Sequence, residues 1–115
     1  MANTFKVITK AGVTSADVIY NVAGSTTTII LGLMIGNTTS GAITSSVTLG
    51  TDTANRAGAN NETNQDVELI TSAAIPANSS LEFMGGNKII METTDTLTVT
   101  GSAAVDIALS VMEIT

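Results

Sequence analysis

The sequence contains no cysteine and no histidine. Without cysteine the chain can form neither a disulfide nor a thiolate metal site. Without histidine it lacks the side chain that most often serves as a general base or a metal ligand near neutral pH. These two absences exclude the commonest nucleophilic, redox and transition-metal sites before any spacing is considered.

Basic residues are also scarce. Lys6, Lys10, Arg56 and Lys88 face ten acidic residues, which gives a formal net charge of -6. A protein that binds nucleic acid needs a basic face to neutralise phosphates, and an anionic membrane surface attracts the same charge. We therefore expect neither a nucleic-acid partner nor a membrane partner.

Long apolar runs are missing as well. The longest, IILGLMIG at 29–36, is far shorter than the roughly 20 residues that a membrane-spanning helix needs. The first ten residues, MANTFKVITK, hold no apolar stretch of the kind found in signal peptides. From these features we expect a soluble protein made in a cytoplasm.

The residues that the chain does contain are mostly small, branched or hydroxylated. Thr and Ser together number 30 of the 115 residues, and 43% of the chain is hydrophobic. The only aromatic residues are Phe5, Tyr20 and Phe83. Thr, Val and Ile are stiff at χ1 and pack well on a pleated surface, so this composition favours sheet over helix.

Apolar and polar residues alternate through most of the chain. The pattern is clearest in AVDIALSVMEI, where Val105, Ile107, Leu109 and Val111 share one face and are expected to face the core. Breaks rich in Gly, Asn, Ser and Asp recur roughly every 8 to 12 residues, which is typical of an all-β sandwich or barrel. The sequence predicts one domain over 1–115, an antiparallel β-sandwich of the jelly-roll or immunoglobulin-like kind, with about eight to nine strands and no significant helix.

The stretch at 29–36 raises a question about glycine. The alternation places Ile29, Leu31 and the following large apolar residues on one face, with Gly32 and Gly36 opposite. Glycine in mid-strand marks a bulge, or a place where another backbone comes close. The other interpretation is that this strand crosses beneath bulky neighbours of the same domain, and both stay open. A similar alternation, at 18–22, places Val18 and Tyr20 on one face.

One polar segment, GTDTANRAGANNETNQD at 50–66, departs from the alternation and is interpreted as a long loop. Its oxygen-bearing side chains are of the type that Ca²⁺ prefers; they are Asp52, Asn55, Asn60, Asn61, Glu62 and Asp66. Their spacing does not match the calcium-binding loop motif. We therefore expect a solvated acidic loop, with no metal and no cofactor.

Catalysis by paired carboxylates is the remaining enzymatic hypothesis, because glycosidases need only two of them. The candidates are Glu68 with Glu82 and Asp95 with Asp106. Glu68 and Glu82 fall on the polar phase of their strands, where carboxylates are normally solvated, and few aromatics are available to build a sugar cleft. We expect no enzymatic activity and no catalytic residues.

Two stretches carry a resemblance to a known family. The first, ADVIYNVAGSTTTIILGLMIGNTTS at 16–40, joins a strand, a short turn and a long apolar strand that ends in NTT. The second, 67–114, contains IPANSSLEF, then GNKIIMETTDTLTVTGS, then LSVMEI. In this order of a proline-led turn, a hairpin and a last strand ending in Glu-Ile, the chain resembles small virion proteins of tailed bacteriophages, especially marine ones. Similar sequences often have glycine just before Asp95, where this chain has Thr94.

The resemblance implies a structural virion component without catalytic residues. The leading hypothesis is a head decoration, or cement, protein that binds the outer capsid surface and stabilises the shell. A tail, neck or fibre-base component is the alternative, and a carbohydrate-binding module that adheres to the host is a third. The implied partners are the major capsid protein or other virion proteins, within a homo-oligomer or symmetric assembly. The implied location is the virion, after synthesis in the host bacterial cytoplasm.

Two segments are predicted to contact neighbouring subunits. The N-terminal segment holds Phe5 beside Lys6, and a terminal strand can add to a neighbour's sheet by main-chain pairing. The loop at 52–66 holds Arg56, the only arginine, which suits bidentate pairing with a carboxylate, together with Asn60 and Asn61. The alternative is that Phe5 fills the core of its own domain and Arg56 is solvated. The sheet faces, rich in Thr, Ser and small residues, are expected to contribute little to binding.

Overall fold

The computed structural model describes residues 2–51, 64–83 and 88–115, and these residues form strands and turns but no helix. None of them therefore belongs to a helix long and apolar enough to cross a membrane. The strands are β1 (Asn3–Val13), β2 (Asp17–Asn21), β3 (Thr27–Asn37), β4 (Ile43–Gly50), β5 (Asp66–Ile75), β6 (Ser80–Phe83), β7 (Ile89–Met91), β8 (Thr96–Gly101) and β9 (Val105–Ile114).

These strands form two antiparallel sheets that pack face to face. Sheet A has the order β1-β9-β3-β6, and β7 also pairs with β3. Sheet B has the order β2-β8-β4-β5. The all-β antiparallel sandwich that the sequence predicts is confirmed, and the number of strands agrees with the expected one.

The core lies between the two sheets and is built from the period-two pattern. From β9, Val105, Leu109 and Val111 are 0% exposed and Ile107 is 4% exposed, as predicted. The inward residues of both sheets belong to one continuous apolar cluster; those of sheet B include Val47, Leu97 and Val99. Two half-apolar sheets therefore bury their apolar sides against each other.

A bulge in β3 shifts the phase that simple alternation predicts. The register with β9 shifts between Ile30 and Gly32, so Leu31 is an extra residue and the strand changes phase there. As a result Ile30 is 0% exposed, whereas Ile29 faces outward. Gly32 thus marks a bulge, and no described atom lies within 4 Å of the place where its Cβ would be. No neighbour in the described part of the chain covers it, so the interpretation of a strand beneath bulky neighbours is wrong at this position.

A second bulge, in β2, has the same effect. The register with β8 shifts between Val18 and Tyr20. Val18 is therefore 55% exposed while Tyr20 is 9% exposed, although the alternation placed both on one face.

Asn37 joins the end of β3 to the proline-led turn between β5 and β6. Its side chain is buried, and its amide nitrogen donates to the carbonyl oxygens of Gly41, Ile75 and Pro76 at 2.8, 3.1 and 3.1 Å. Its amide oxygen accepts from the backbone N–H of Thr39 at 2.9 Å. The two stretches that carry the family resemblance therefore meet through hydrogen bonds of one buried amide.

The turn between β7 and β8 holds Thr94 in a left-handed conformation, with φ of 70°. The backbone N–H of Asp95 donates to the carbonyl of Glu92 at 3.0 Å, and the N–H of Thr94 donates to the carbonyl of Val22 at 3.1 Å. Glycine adopts positive φ freely, whereas a β-branched residue is strained there. Hydrogen bonds around the turn keep Thr94 in this strained conformation, at a position where the resembling sequences often have glycine.

Leu109→Ala should lower the free energy of unfolding by about 2–5 kcal/mol, because it removes a fully buried side chain from the inter-sheet core. Met34→Ala is the control, since Met34 is 46% exposed and its truncation should cost much less. Chemical denaturation followed by circular dichroism measures both values. Equal losses for the two variants would contradict the assignment of the core.

Thr94→Gly should raise the free energy of unfolding by about 0.5–1 kcal/mol. Relief of the left-handed strain is worth about 1–2 kcal/mol, and the greater freedom of glycine in the unfolded chain takes back about 0.4–1 kcal/mol. Thr93→Gly is the control, because Thr93 has no positive φ and its replacement should only destabilise. A Thr94→Gly variant that melts below the unsubstituted protein would show that Thr94 is not strained in solution.

Candidate functional site

Of the residues that the sequence assigns to an interface, Phe5 and Lys6 lie in β1, and the structure describes both. Arg56, Asn60 and Asn61 lie outside the described residues, so their predicted role stays a prediction. Phe5 is 71% exposed, so the alternative that it fills the core of its own domain is wrong.

The outer face of sheet A, turned away from sheet B, carries a row of large apolar side chains. Cross-strand pairing aligns Phe5 with Met112, Met112 with Ile29, and Ile29 with Ile90. We call Phe5, Met112, Ile29 and Ile90 the apolar row. It crosses four neighbouring strands of the sheet, in the spatial order β1, β9, β3 and β7. Phe5 and Ile90 are 71% and 60% exposed, and the other two are half-buried.

Further exposed apolar side chains lie on the same face. Among the described residues six large hydrophobic side chains are exposed; Phe5, Val7, Met34 and Ile90 lie on this face, and Val18 and Val67 belong to sheet B. Next to the apolar row, Val7 aligns with Ser110 and then with Gly32. The centre of the face is therefore flat, with large apolar side chains along one side.

This surface differs from the expectation that the sheet faces are rich in Thr, Ser and small residues, while their contribution to binding stays a prediction. The alternation missed it because the bulge at Leu31 reverses the phase of Ile29. One signal was present in the sequence: Ile89, Ile90 and Met91 are consecutive, and in a strand three consecutive side chains cannot all face one side. At least one of them had to lie outside the core.

Lys6 points to the opposite side of β1 from Phe5 and is engaged within the domain. Its ammonium nitrogen lies 2.7 Å from Oε1 of Glu113. The hydroxyl of Tyr20 donates to Oε2 of the same carboxylate at 2.5 Å and lies 2.7 Å from Oγ1 of Thr28. Tyr20 belongs to sheet B and the other three residues to sheet A, so this polar network links the two sheets at one end of the core.

The network shifts the protonation equilibria of two of its members. The hydrogen bond from Lys6 and, to a smaller extent, the hydrogen bond from Tyr20 hold the pKa of Glu113 below its usual range. Burial and, to a smaller extent, the hydrogen bond to Glu113 raise the pKa of Tyr20 to about 12. Near neutral pH the carboxylate is charged and the phenol is neutral, so the phenol donates a stable hydrogen bond and cannot act as a base. The network holds the two sheets together.

The structure describes all four carboxylates considered for acid–base catalysis. Glu68 in β5 accepts a hydrogen bond from the hydroxyl of Thr71 at 2.8 Å, whereas Glu82 lies in β6 of the other sheet. Asp95 is buried and accepts from the backbone N–H of Glu92, and Asp106 accepts from the N–H of Gly12 at the end of β1. In each pair, therefore, the two carboxylates lie in different parts of the fold.

The polar segment 50–66 lies between the end of β4 and the start of β5. Thr51 and Gln65 bond to each other at its base, the N–H of Thr51 donating to the carbonyl of Gln65 at 2.8 Å. Most of the oxygen-bearing residues considered for Ca²⁺ lie at 52–63, outside the described residues. Within the described ranges no group of three or more acidic, Cys or His residues could hold a metal ion.

Comparison with known proteins yields little for this chain. No protein-family model and no curated protein matches it. One solved structure is similar: a chain from a study described as "Bacillus endospore appendages form a novel family of disulfide-linked pili". The TM-score is 0.48 and the identity 17%, over 97% of this chain and 84% of that chain. A likeness this distant has no bearing on what the present chain does.

Tyr20 is the only tyrosine and the chain has no tryptophan, so ultraviolet absorbance reports this one phenol. In the folded protein it should ionise near pH 12, whereas in denaturant it should ionise near about 10. Because the folded pKa is the higher one, this contribution to stability is complete below about pH 10 and is lost as the pH rises towards 12.

Glu113→Gln should move the Tyr20 midpoint downwards, because it removes the negative charge of the carboxylate that accepts the hydrogen bond from the phenol. Glu82→Gln is the control, since Glu82 lies in β6 opposite Met34 on the outer face of sheet A, and its replacement should leave the midpoint in place. A midpoint near 10 in the folded, unsubstituted protein would contradict both the burial of Tyr20 and its hydrogen bond to Glu113. An unchanged midpoint in Glu113→Gln would contradict the hydrogen bond alone.

Proposed function

We propose that this protein is a structural subunit that works by binding other proteins in a multi-copy assembly. In its specific form, the proposal is that it decorates the head of a tailed bacteriophage and stabilises the capsid shell. The observation that carries the general proposal is the apolar row on the outer face of sheet A. The resemblance described above supports the phage form.

The alignment of exposed apolar side chains in one row supports a protein partner. Soluble monomers rarely expose large contiguous apolar patches, and such patches mark interaction surfaces. Complete burial of one side chain such as Ile90 or Phe5 is worth about 1.5–3 kcal/mol. Several of them in one row supply the central contacts of an interface, and the flat centre of the face, at Ser110 and Gly32, lets a partner approach closely.

Such binding stabilises an assembly without any chemistry. A protein that binds only the assembled shell shifts the equilibrium towards that shell, and many copies of a weak contact add by avidity. The net charge of -6 favours solubility before the subunits enter the assembly. Glu82 and Asp106 add negative charge on the outer face of sheet A, so a partner with basic groups around an apolar patch would fit.

A tail, neck or fibre-base role would use the same surface and is the second candidate. Copy number distinguishes the two, because a head decoration protein is present in far more copies than a tail or neck component. The carbohydrate-binding role has less support, since sugar platforms rely on exposed aromatic side chains. Here Phe5 alone is strongly exposed, while Tyr20 is buried and Phe83 is half-buried.

The test uses a phage whose genome lacks the native gene. The particles are purified from host cells that express either the unsubstituted chain or a variant. Quantitative mass spectrometry gives the number of copies per particle. Ile90→Ser should weaken binding about fivefold to thirtyfold, because a partner can bury the 60% of Ile90 that is exposed, worth roughly 1–2 kcal/mol. The copy number should fall accordingly.

Val18→Ser is the matched control, since it removes a side chain of similar exposure from sheet B and should leave the copy number unchanged. Thermal melting should show both variants folded. Absence of the unsubstituted chain from purified particles would contradict the virion role. An equal fall for Val18→Ser and Ile90→Ser would contradict the assignment of the surface.

A further inference from the structure

The edges of the two sheets differ in how well another strand can pair with them. Short length, bulges and local twist protect edge strands against pairing. On sheet A, β6 and β7 have four and three residues. On sheet B, β2 has five residues and a register shift. The other edge, β5, shifts register twice against β4 and holds Ser72 at φ of 49°.

β1 has none of these protections over most of its length. It has 11 residues and pairs with β9 without a shift from Asn3 to Lys10, and no described strand pairs with its other side. Inward-pointing lysines often guard such an edge, but here each forms an ion pair with a carboxylate of its own domain. Lys6 lies 2.7 Å from Glu113, and Lys10 lies 3.2 Å from Asp17.

We propose that β1 pairs antiparallel with β1 of a second copy of this chain, about a twofold axis at Val7. The two A sheets would then form one continuous sheet across the dimer. This inference deepens the proposed function and rests on it, because the dimer is the unit that would enter the larger assembly.

The alternation of side chains limits the registers that such a dimer can adopt. A twofold axis perpendicular to the sheet keeps both outer faces on one side, so each outward residue must lie opposite another outward residue. The axis therefore passes through a residue. An axis at Lys6 places Lys6 opposite its own copy, and an axis at Ile8 places it opposite Lys10. Like charges directly opposite each other are destabilising.

Axes at Thr4, Phe5, Val7 and Thr9 place no two lysines opposite each other. Within the regular part of β1, Asn3 to Lys10, axes at Thr4, Phe5 and Thr9 pair only residues 3–5, 3–7 and 8–10. The axis at Val7 pairs residues 4–10 and so forms the most main-chain hydrogen bonds. With the axis at Val7, Phe5 lies opposite Thr9 and Lys6 lies opposite Ile8, so no two charges face each other. The register at Val7 is therefore the favoured one.

The outward side chains explain why the partner is a second copy. Phe5 ends the apolar row at the open edge, and Val7 lies beside it, 64% exposed. In the dimer Phe5 of each copy is a diagonal neighbour of Val7 of the other, at about 7–8 Å. The two apolar rows thus meet across the axis as one patch. Edge pairing buries a small area, below the usual size of a stable interface, so we expect a concentration-dependent dimer in the micromolar range.

Cysteine cross-linking tests the register directly, because the native chain has no cysteine. At the axis the two copies of Val7→Cys have Cα atoms about 4.5–5.5 Å apart, within the range of about 4.4–6.8 Å that a disulfide spans. Mild oxidation of the full chain should therefore yield a covalent dimer. Phe5→Cys is the control: its two copies lie roughly 13 Å apart along the strands and should not cross-link.

A mixture of Phe5→Cys and Thr9→Cys should give the mixed disulfide, since these positions lie opposite each other in the proposed register. Efficient cross-linking of Phe5→Cys alone would overturn the register at Val7. No cross-linking in any combination, at concentrations far above the micromolar range, would overturn the dimer.

Sedimentation velocity of the unsubstituted chain should show dimer formation that increases with concentration. Val7→Lys places two like charges at the axis and should weaken the dimer at least tenfold. Val18→Lys is the matched control on the edge strand of sheet B and should leave dimerisation unchanged. A strictly monomeric unsubstituted chain would overturn the inference.

The outcomes separate this inference from the proposed function. A chain that is monomeric and does not cross-link, yet is present in purified particles, overturns the dimer alone. A chain that cross-links through Val7→Cys but is absent from particles contradicts the virion role and leaves the dimer standing.

Discussion

β9 lies between β1 and β3 in sheet A and turns four side chains into the core, so its register fixes both neighbours. Those side chains, Val105, Ile107, Leu109 and Val111, are almost completely buried. A slip of one residue would turn all of them to solvent. The burial of this row therefore determines which residues of β1 and β3 face inward, and which are left on the outer surface.

The same register produces the polar network at the end of the core. Glu113 continues the inward row of β9, so its carboxylate lies between the sheets with Lys6 on one side and Tyr20 on the other. A partly buried carboxylate such as that of Glu113 is costly unless charge and hydrogen bonds compensate it. Here Lys6, at the open edge of sheet A, provides the charge, and Tyr20 provides a hydrogen bond. Because Lys6 is held inward, the outer side of β1 presents Phe5 instead.

The surface available for assembly thus follows from the packing of the core. With the inward residues fixed, alternation leaves Phe5, Met112, Ile29 and Ile90 together outside, and the bulge in β3 is required for Ile29 to join them. The described residues offer an apolar row on the outer face of sheet A and one unprotected edge, β1. The proposed role in a multi-copy assembly depends on these two features.

The sequence by itself determined the fold class, the inward row of β9 and the poverty of reactive groups. These properties are local or compositional: alternation has a period of two, and absent residue types cannot be supplied by folding. It also singled out Phe5 as a candidate contact residue, but left open whether this side chain lay inside or outside the core.

Only the tertiary structure decided the rest. The bulges at Leu31 and between Val18 and Tyr20 reverse the phase within a strand, and nothing in the alternation marks them except Gly32. The apolar row joins residues that are far apart in the sequence, and its existence depends on strand order and register, which non-local pairing sets. That Lys6 binds Glu113 depends on the same pairing, because alternation defines two faces of a strand but does not say which one meets the core.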